Sequence, residues 1–218
     1  RRQRQMCIRD SAIAVALNAD GSVMAFGGDS RTAVYQVVGS TLQQKGGSLE
    51  ASRSVALSDD GETIAIGIDT GGAAAGKVRV YKMSATTNNW ELVHGDITGS
   101  ATTRECGYSV DLSYNGEVVA MGCPGDAGVP GSVRVYKDDS SGWALKGNAI
   151  FMAGTPFNGD NFGNSVSLSY DANVDFVAVG ASEGGTNNFI SPFVDGCRHA
   201  IIYFPARDLT ASLFCFAF

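Results

Sequence analysis

Residues 71–82 read GGAAAGKVRVYK, and Gly71, Gly76 and Lys77 have the spacing of a phosphate-cradling loop. Such a loop needs a hydroxyl after the lysine for a magnesium ion, and a helix whose amino end faces the phosphates. Val78 follows the lysine instead, and VRVY alternates as a strand does. A second pattern is Asp171, Asn173 and Asp175, alternating oxygen donors of the kind that wrap a calcium ion. The same residues also read as a solvated Asx-rich turn. The stretch FNGDNFG at 157–163 brings Asn158, Asp160 and Asn161, but only one carboxylate, and reads as a turn between structural units. The two histidines, His94 and His199, lie in unrelated contexts, and no nucleophile–base arrangement is legible.

The elements that must position these groups are short strands. The chain has 218 residues, 44% of them hydrophobic and 17% charged, enough to bury a core. Its 28 glycines and scarce helical periodicity point to many turns. No apolar run approaches the roughly 18 residues of a membrane span. The opening RRQRQMCIRD holds four of the sixteen basic residues and resembles a translated sequencing adapter, so residues 1–11 are set apart as a leader. Those ten residues carry a net +3, which moves the body of the chain from −6 to −9. An acidic body argues against nucleic acid and anionic membrane surfaces as partners. Cys106, Cys123, Cys197 and Cys215 contain no C-x-x-C pair, so zinc is not expected, and four cysteines fit either redox compartment.

A repeat organises the chain. AVALNADGSVMAFGG from Ala14, SVALSDDGETIAIGI from Ser54, SVDLSYNGEVVAMGC from Ser109 and SVSLSYDANVDFVAVGA from Ser165 align at offsets of 40, 55 and 56 residues. Each continues into a second shared piece: TAVYQV at Thr32, KVRVYK at Lys77, SVRVYK at Ser132 and HAIIYF at His199. A third piece is led by Leu42, Trp90 and Trp143. The period predicts an all-β propeller of about four consecutive four-stranded antiparallel blades, over 12–52, 53–107, 108–163 and 164–218. In that register GGAAAGKVRVYK is the counterpart of AGVPGSVRVYK, so its glycines belong to the loop between strands two and three.

Asp60-Gly61 and Asn115-Gly116 predict type I′ hairpins. Pairing outward from them puts Val55, Leu57, Ile64 and Ile66 on one face and Ser54, Ala56, Thr63, Ala65 and Gly67 on the other. The third unit repeats this, with Asp111 as the polar exception on the small face. Blades of this kind stack ridge into shallow face. The same count sets Tyr108 opposite Cys123 and Cys106 one diagonal step away, about 7–8 Å at Cα. Ordinary disulfide reach is about 4.4–6.8 Å, and a bulge would close the gap. The cysteines are expected as neighbours, and the bridge is left open. Arg79 and Arg134 recur at one position, as if to pair with acids. Trp90 and Trp143 are expected to pack against the blades.

Phe162-Gly163 leading into NSVSLS, then Gly180-Ala181-Ser182, resembles the FG-GAP repeat of integrin α-chain propellers; Cys106-Gly107 and Gly122-Cys123-Pro124 repeat the pattern. The resemblance covers residues 12–203. It implies a seven-bladed ring of which this chain is a fragment, an extracellular or cell-surface location, and calcium loops in some blades. It also implies a protein or glycan partner, bound without chemistry at the rim formed by 68–76, 123–131, 182–196, 95–106 and 153–163. A propeller enzyme with its catalytic residues in other blades, and a WD-type scaffold, remain alternatives; the 55-residue spacing disfavours the latter.

Overall fold

The computed structural model describes residues 12–68, 75–99, 105–125, 129–151, 161–169, 177–181 and 201–203. All regular structure within them is β. The first sheet is an antiparallel meander of β1 (Ala12–Leu17), β2 (Val23–Gly28), β3 (Thr32–Val38) and β4 (Thr41–Gln44). The second runs β5 (Ser54–Leu57), β6 (Thr63–Ile68), β7 (Lys77–Ser84) and β8 (Asn89–Leu92), with β9 (Ile97–Thr98) returning onto the start of β7. The third repeats this with β10 (Ser109–Leu112), β11 (Val118–Cys123), β12 (Ser132–Asp138), β13 (Trp143–Leu145) and β14 (Ile150–Phe151). The fourth shows β15 (Phe162–Leu168), β16 (Val177–Ala181) and β17 (Ile201–Tyr203). The first strands, β1, β5, β10 and β15, pack side by side, so the sheets radiate from a common axis. Among the described residues no helix is long and apolar enough to cross a membrane.

The pairing follows the alternation of the sequence. Val55 faces Ile66 and Leu57 faces Ile64, while Ser54 faces Gly67 and Ala56 faces Ala65. The third sheet repeats it with Val110 and Met121, Leu112 and Val119, Ser109 and Gly122. Each bulky face packs on the small face of the sheet before it. Ala25 and Val34 of the first sheet meet Val55, Ile64 and Ile66. Ala56, Ala65 and Val80 meet Val110, Val119 and Met121. Ala120, Val133 and Val135 meet Phe162, Val177 and Val179. Dispersion contact and removal of apolar surface from water both favour this ridge-into-hollow stacking.

The hairpins differ from the expected type I′, and the side chains say why. Gly21, Gly61 and Gly116 have positive φ, but Asp60 and Asn115 do not, whereas type I′ requires it at both central residues. Each connection is a four-residue loop, closed by Gly61 N–H to Ser58 O and Gly116 N–H to Ser113 O, both 2.9 Å. Asp60 Oδ1 accepts from Glu62 N (2.9 Å) and Ser58 Oγ (2.6 Å), and Asn115 Oδ1 accepts from Glu117 N and Ser113 Oγ. This Asx geometry stabilises right-handed backbone at the turn residue, which removes the need for a left-handed one. The register is unchanged, because the loops are centred on the same dipeptides. The turns also join neighbours: Ala19 N donates to Asp59 O and Asp59 N to Tyr114 O.

At the other end of each first strand, the backbone of the following sheet enters the small face. Ser54 Oγ donates to Gly107 O and Ser109 Oγ to Gly163 O, both 2.8 Å. A Cβ built on Gly67 would lie 1.9 Å from Gly107 O, and one on Gly122 would lie 2.1 Å from Gly163 O. Gly67→Ala is therefore expected to force the second and third sheets apart, destabilising the protein by about 1–3 kcal/mol or more. Gly21 has open space around it, so Gly21→Ala is expected to cost only the left-handed strain of about 1–2 kcal/mol. Denaturant midpoints of the two variants check the order; an equal or smaller loss for Gly67→Ala refutes the close approach.

Candidate functional site: the loop rim

In an antiparallel meander the strand-two-to-three loop and the connection to the next sheet leave by one end. The structure ties the bases of these loops together. Gly76, at φ 62°, bridges Cys106, and Cys106 N donates to Ala75 O (3.2 Å). A Cβ on Gly76 would lie 2.0 Å from Cys106 O, so glycine is required for the approach as well as for φ. In the third sheet Gly131 approaches Phe162 O just as closely, at 2.2 Å for a built Cβ. Lys77 begins strand β7 and pairs with Asp96 (Nζ–Oδ2 2.8 Å). The apparent phosphate loop is thus the stem of an interblade junction.

Cys106 and Cys123 form a disulfide with Cα atoms 4.0 Å apart. The diagonal offset expected from the hairpin count is removed by a local slip of the chain. Glu105 (φ 57°) and Gly107 (φ 85°) are both left-handed, and Gly107 N donates to Gly122 O (3.0 Å). The fourth sheet has the same slip without sulfur. Phe162 pairs with Ala181 while Ser165 pairs with Gly180, and Asn161 and Gly163 are left-handed. The bridge therefore occupies the register position of the Phe162–Ala181 backbone pair and fastens the third sheet's lead-in to its second strand.

A charged network braces the outer side of the same junctions. Arg79 bonds Glu50 (Nη1–Oε1 2.7 Å) and Asp96, and Tyr81 Oη donates to Glu50 (2.8 Å). Hydrogen bonds from Arg79 and Lys77 hold the Asp96 carboxyl at a pKa of about 2. Burial opposes ionisation of Glu50, but the bonds from Arg79, its own backbone and Tyr81 outweigh it and lower its pKa. Burial, then the bond to Glu50, pushes Tyr81 up to about 12. The pairing expected for Arg79 is present; its acids were not visible in the sequence because Glu50 lies just beyond the third shared piece and Asp96 has Ser48 and Ala149 as its counterparts in the other units.

Trp90 and Trp143 pack as expected and donate their indole N–H to Lys45 O (2.8 Å) and Val93 O (3.2 Å) of the preceding sheet. A hollow of about 430 Å³ beside Trp143 is lined by His94, Asp96, Tyr136 and Ser141. Three of its polar side chains are engaged: His94 Nε2 with Asp138 (2.9 Å), Ser141 Oγ with Asp139 (2.8 Å), and Asp96 with Arg79. His94 and Ser141 therefore do not form a nucleophile–base pair. Asp171, Asn173 and Asp175, the calcium candidates, lie outside the described residues, as do Asn158 and Asp160. Asn161 is described, and its carbonyl accepts from Asn164 N (3.0 Å) in the turn. Among the described residues no group of three or more His, Cys, Asp or Glu could hold a metal ion.

Two solved structures show what this geometry is similar to. Kuenenia stuttgartiensis hydrazine synthase aligns over 87% of this chain and 51% of its own, with TM-score 0.58 and 12% identity. TolB from Acinetobacter baumannii aligns over 95% and 44%, with TM-score 0.53 and 15% identity. The chain is a β-propeller. At these identities the likeness is one of fold alone, and the chain spans about half the length of each. No family model matches the sequence, and no curated protein matches it.

Two measurements test the braces of this propeller rim. Replacing Cys106 and Cys123 together by serine is expected to lower stability by about 3 kcal/mol, the scale for a closed loop of this size; an unchanged unfolding midpoint in the absence of reductant would discount the bridge. Asp96 titrates below its ordinary value of 3.8. Its contribution is thus present above about pH 4 and is lost as pH falls toward about 2. Asp96→Asn should flatten that acid limb in a stability–pH profile; an identical limb would refute the network.

Proposed function

We propose that the chain is a non-catalytic recognition module of an FG-GAP-like, extracellular or cell-surface propeller, which binds a protein or glycan partner through the loop rim. The observation that carries the reading is the difference between the two ends of the blades. At one end the described hairpin turns at Asp20, Asp60 and Asn115 are alike, and their Asx oxygens are spent on their own backbones. At the other, loops of unequal length rise from stems fixed by a disulfide, close glycine contacts and ion pairs. Variable loops on rigid stems display binding groups with little ordering cost on association.

The disulfide supports the location, because such bridges persist in oxidising compartments and are rare where thiols are kept reduced. FG-GAP kinship rests on Phe162-Gly163 and Cys106-Gly107, which fill one structural position. Remaining blades of the same ring, and a calcium ion at Asp171, Asn173 and Asp175, belong to the same proposal.

The test is binding to a glycan array and to a panel of purified extracellular-matrix proteins. Replacing 69–74, 100–104 and 126–128 by Gly-Ser segments of equal length is expected to weaken a detected interaction at least tenfold. Asp20→Ala on the opposite end should leave it unchanged. Undiminished binding by a folded loop variant rejects the rim, and turnover of any ligand rejects the non-catalytic reading.

A further inference from the structure

The hollow beside Trp143 lies where the second and third sheets meet, and this junction departs from the one before it at four positions. At the first–second junction, polar groups are capped from within the chain. Asn89 Oδ1 accepts from Gly47 N (2.8 Å), and Glu50 accepts from Tyr81 Oη (2.8 Å). In register, Gly95 and Tyr136 are the equivalents of Gly47 and Tyr81, while Gly142 and Thr98 replace Asn89 and Glu50. All four line the hollow. Neither cap is repeated: among the described residues, the Gly95 N–H and the Tyr136 hydroxyl have no partner. A Cβ built on Gly142 meets nothing within 4 Å, so room for a capping side chain is left open.

The other two departures fix the walls. His94 stands at φ 58°, where the equivalent residues are Gly46 (φ 70°) and Gly147 (φ 79°). A side chain held in left-handed backbone is strained, and such strain gathers at functional sites. The imidazole bonds Asp138, which takes the place of Met83, and stands edge-on to Trp143 with ring centroids 6.2 Å apart. Trp143 is pinned in turn by its indole bond to Val93 O. The nearby carboxylates are met inside the protein, Asp96 by Lys77 and Arg79, and Asp138 by His94. What the hollow leaves open is uncharged: a backbone N–H, the hydroxyls of Thr98 and Tyr136, and two aromatic rings.

We propose that this hollow binds one neutral saccharide unit. A pyranose carries both halves of the complement: oxygens for the N–H and the hydroxyls, and a C–H face for the rings. One sugar oxygen stands at Gly95 N where Asn89 Oδ1 stands at the first junction, and another stands at Tyr136 Oη where Glu50 does. The volume of about 430 Å³ falls within the ~300–1,000 Å³ of small-molecule sites. A charged ligand would be desolvated here with no free counter-charge to meet it. The site goes beyond the rim reading and does not depend on it. The β12–β13 hairpin that carries Ser141 and Gly142 lies at the far end of β12 from the loop stem at Ser132.

The experiment labels the indole nitrogens of the whole chain, which has two tryptophans. The protein is titrated with glucose, galactose, mannose, fucose, N-acetylglucosamine and N-acetylgalactosamine. At least one sugar is expected to move the Trp143 indole resonance saturably, while that of Trp90 stays in place. Gly142→Asn with Thr98→Glu rebuilds the caps of the first junction and should abolish the shift without lowering the unfolding midpoint. Tyr136→Phe keeps the ring and should weaken binding at least tenfold. The chain with 69–74, 100–104 and 126–128 replaced should bind as the parent does. The proposal is overturned by the absence of a saturable shift with any of these sugars, or by a shift that either folded variant leaves unchanged. Binding lost with the rim loops overturns it too, since the sugar then belongs to the rim.

Discussion

The fold depends on a steric constraint: at the second-to-third and third-to-fourth junctions, the carbonyl of the lead-in must approach the second-strand glycine of the sheet before it. At Gly67 and Gly122 the space for a Cβ is already taken by Gly107 O and Gly163 O. The serines Ser54 and Ser109, opposite those glycines, donate to the same carbonyls. A buried backbone oxygen that gave up water is thus satisfied by the neighbouring sheet. Only with that contact made can the alanine faces come close enough for Val110, Met121, Val177 and Val179 to fill the space. Burial of the ridges supplies most of the favourable free energy, and the glycine–carbonyl approach fixes where it is realised.

The same constraint explains why the variable loops have rigid stems. The lead-in that enters the small face is also the end of the interblade connection, and Gly76 and Gly131 bring the strand-two-to-three loops against it. The disulfide and the Glu50–Arg79–Asp96 network add to a junction that packing had already formed. At the opposite end, the described turns at Asp20, Asp60 and Asn115 are tight, and their side-chain oxygens accept from their own backbones.

Much of this was legible because the repeat gives four views of one unit. The pairing of Val55 with Ile66, the two faces, the strand at Lys77 and the pairing of Arg79 all follow from alternation and dipeptide position. Ile201–Tyr203 pairs with Val177–Val179, as HAIIYF predicts. The hairpin type was misread because a dipeptide count ignores Asp60 and Asn115 side chains that compete for the backbone. The cysteine bridge was undecided for a related reason: two left-handed residues flanking Cys106 shift the register, and straight counting from a turn carries no knowledge of them. Glu50 and Asp96 escaped notice because neither acid recurs: Glu50 follows the shared piece, and Asp96 is replaced by Ser48 and Ala149 in the other units.

Stacked repeats with interchangeable faces could dock in the wrong order, since each contacts only its neighbours. The junctions here are chemically distinct beneath their shared packing. Lys45 pairs with Glu62 between the first and second sheets, and Arg53 stacks over Tyr108 at 4.2 Å between the second and third. Between the third and fourth, Asp111 stands where the second sheet has Ala56, and its Oδ2 accepts from Leu168 N at 2.7 Å. Burial raises the Asp111 pKa against its bonds from Leu168, Leu112 and Ser167, so the carboxylate is a poor choice for stability alone. Without the Leu168 N–H that carboxylate would be a buried charge short of a donor, an outcome several times costlier than the bond is favourable. Asp111 thus ties the third sheet to the first strand of the fourth. The alanine–glycine face makes the blades stack, and polar pairs that differ from junction to junction add to that packing.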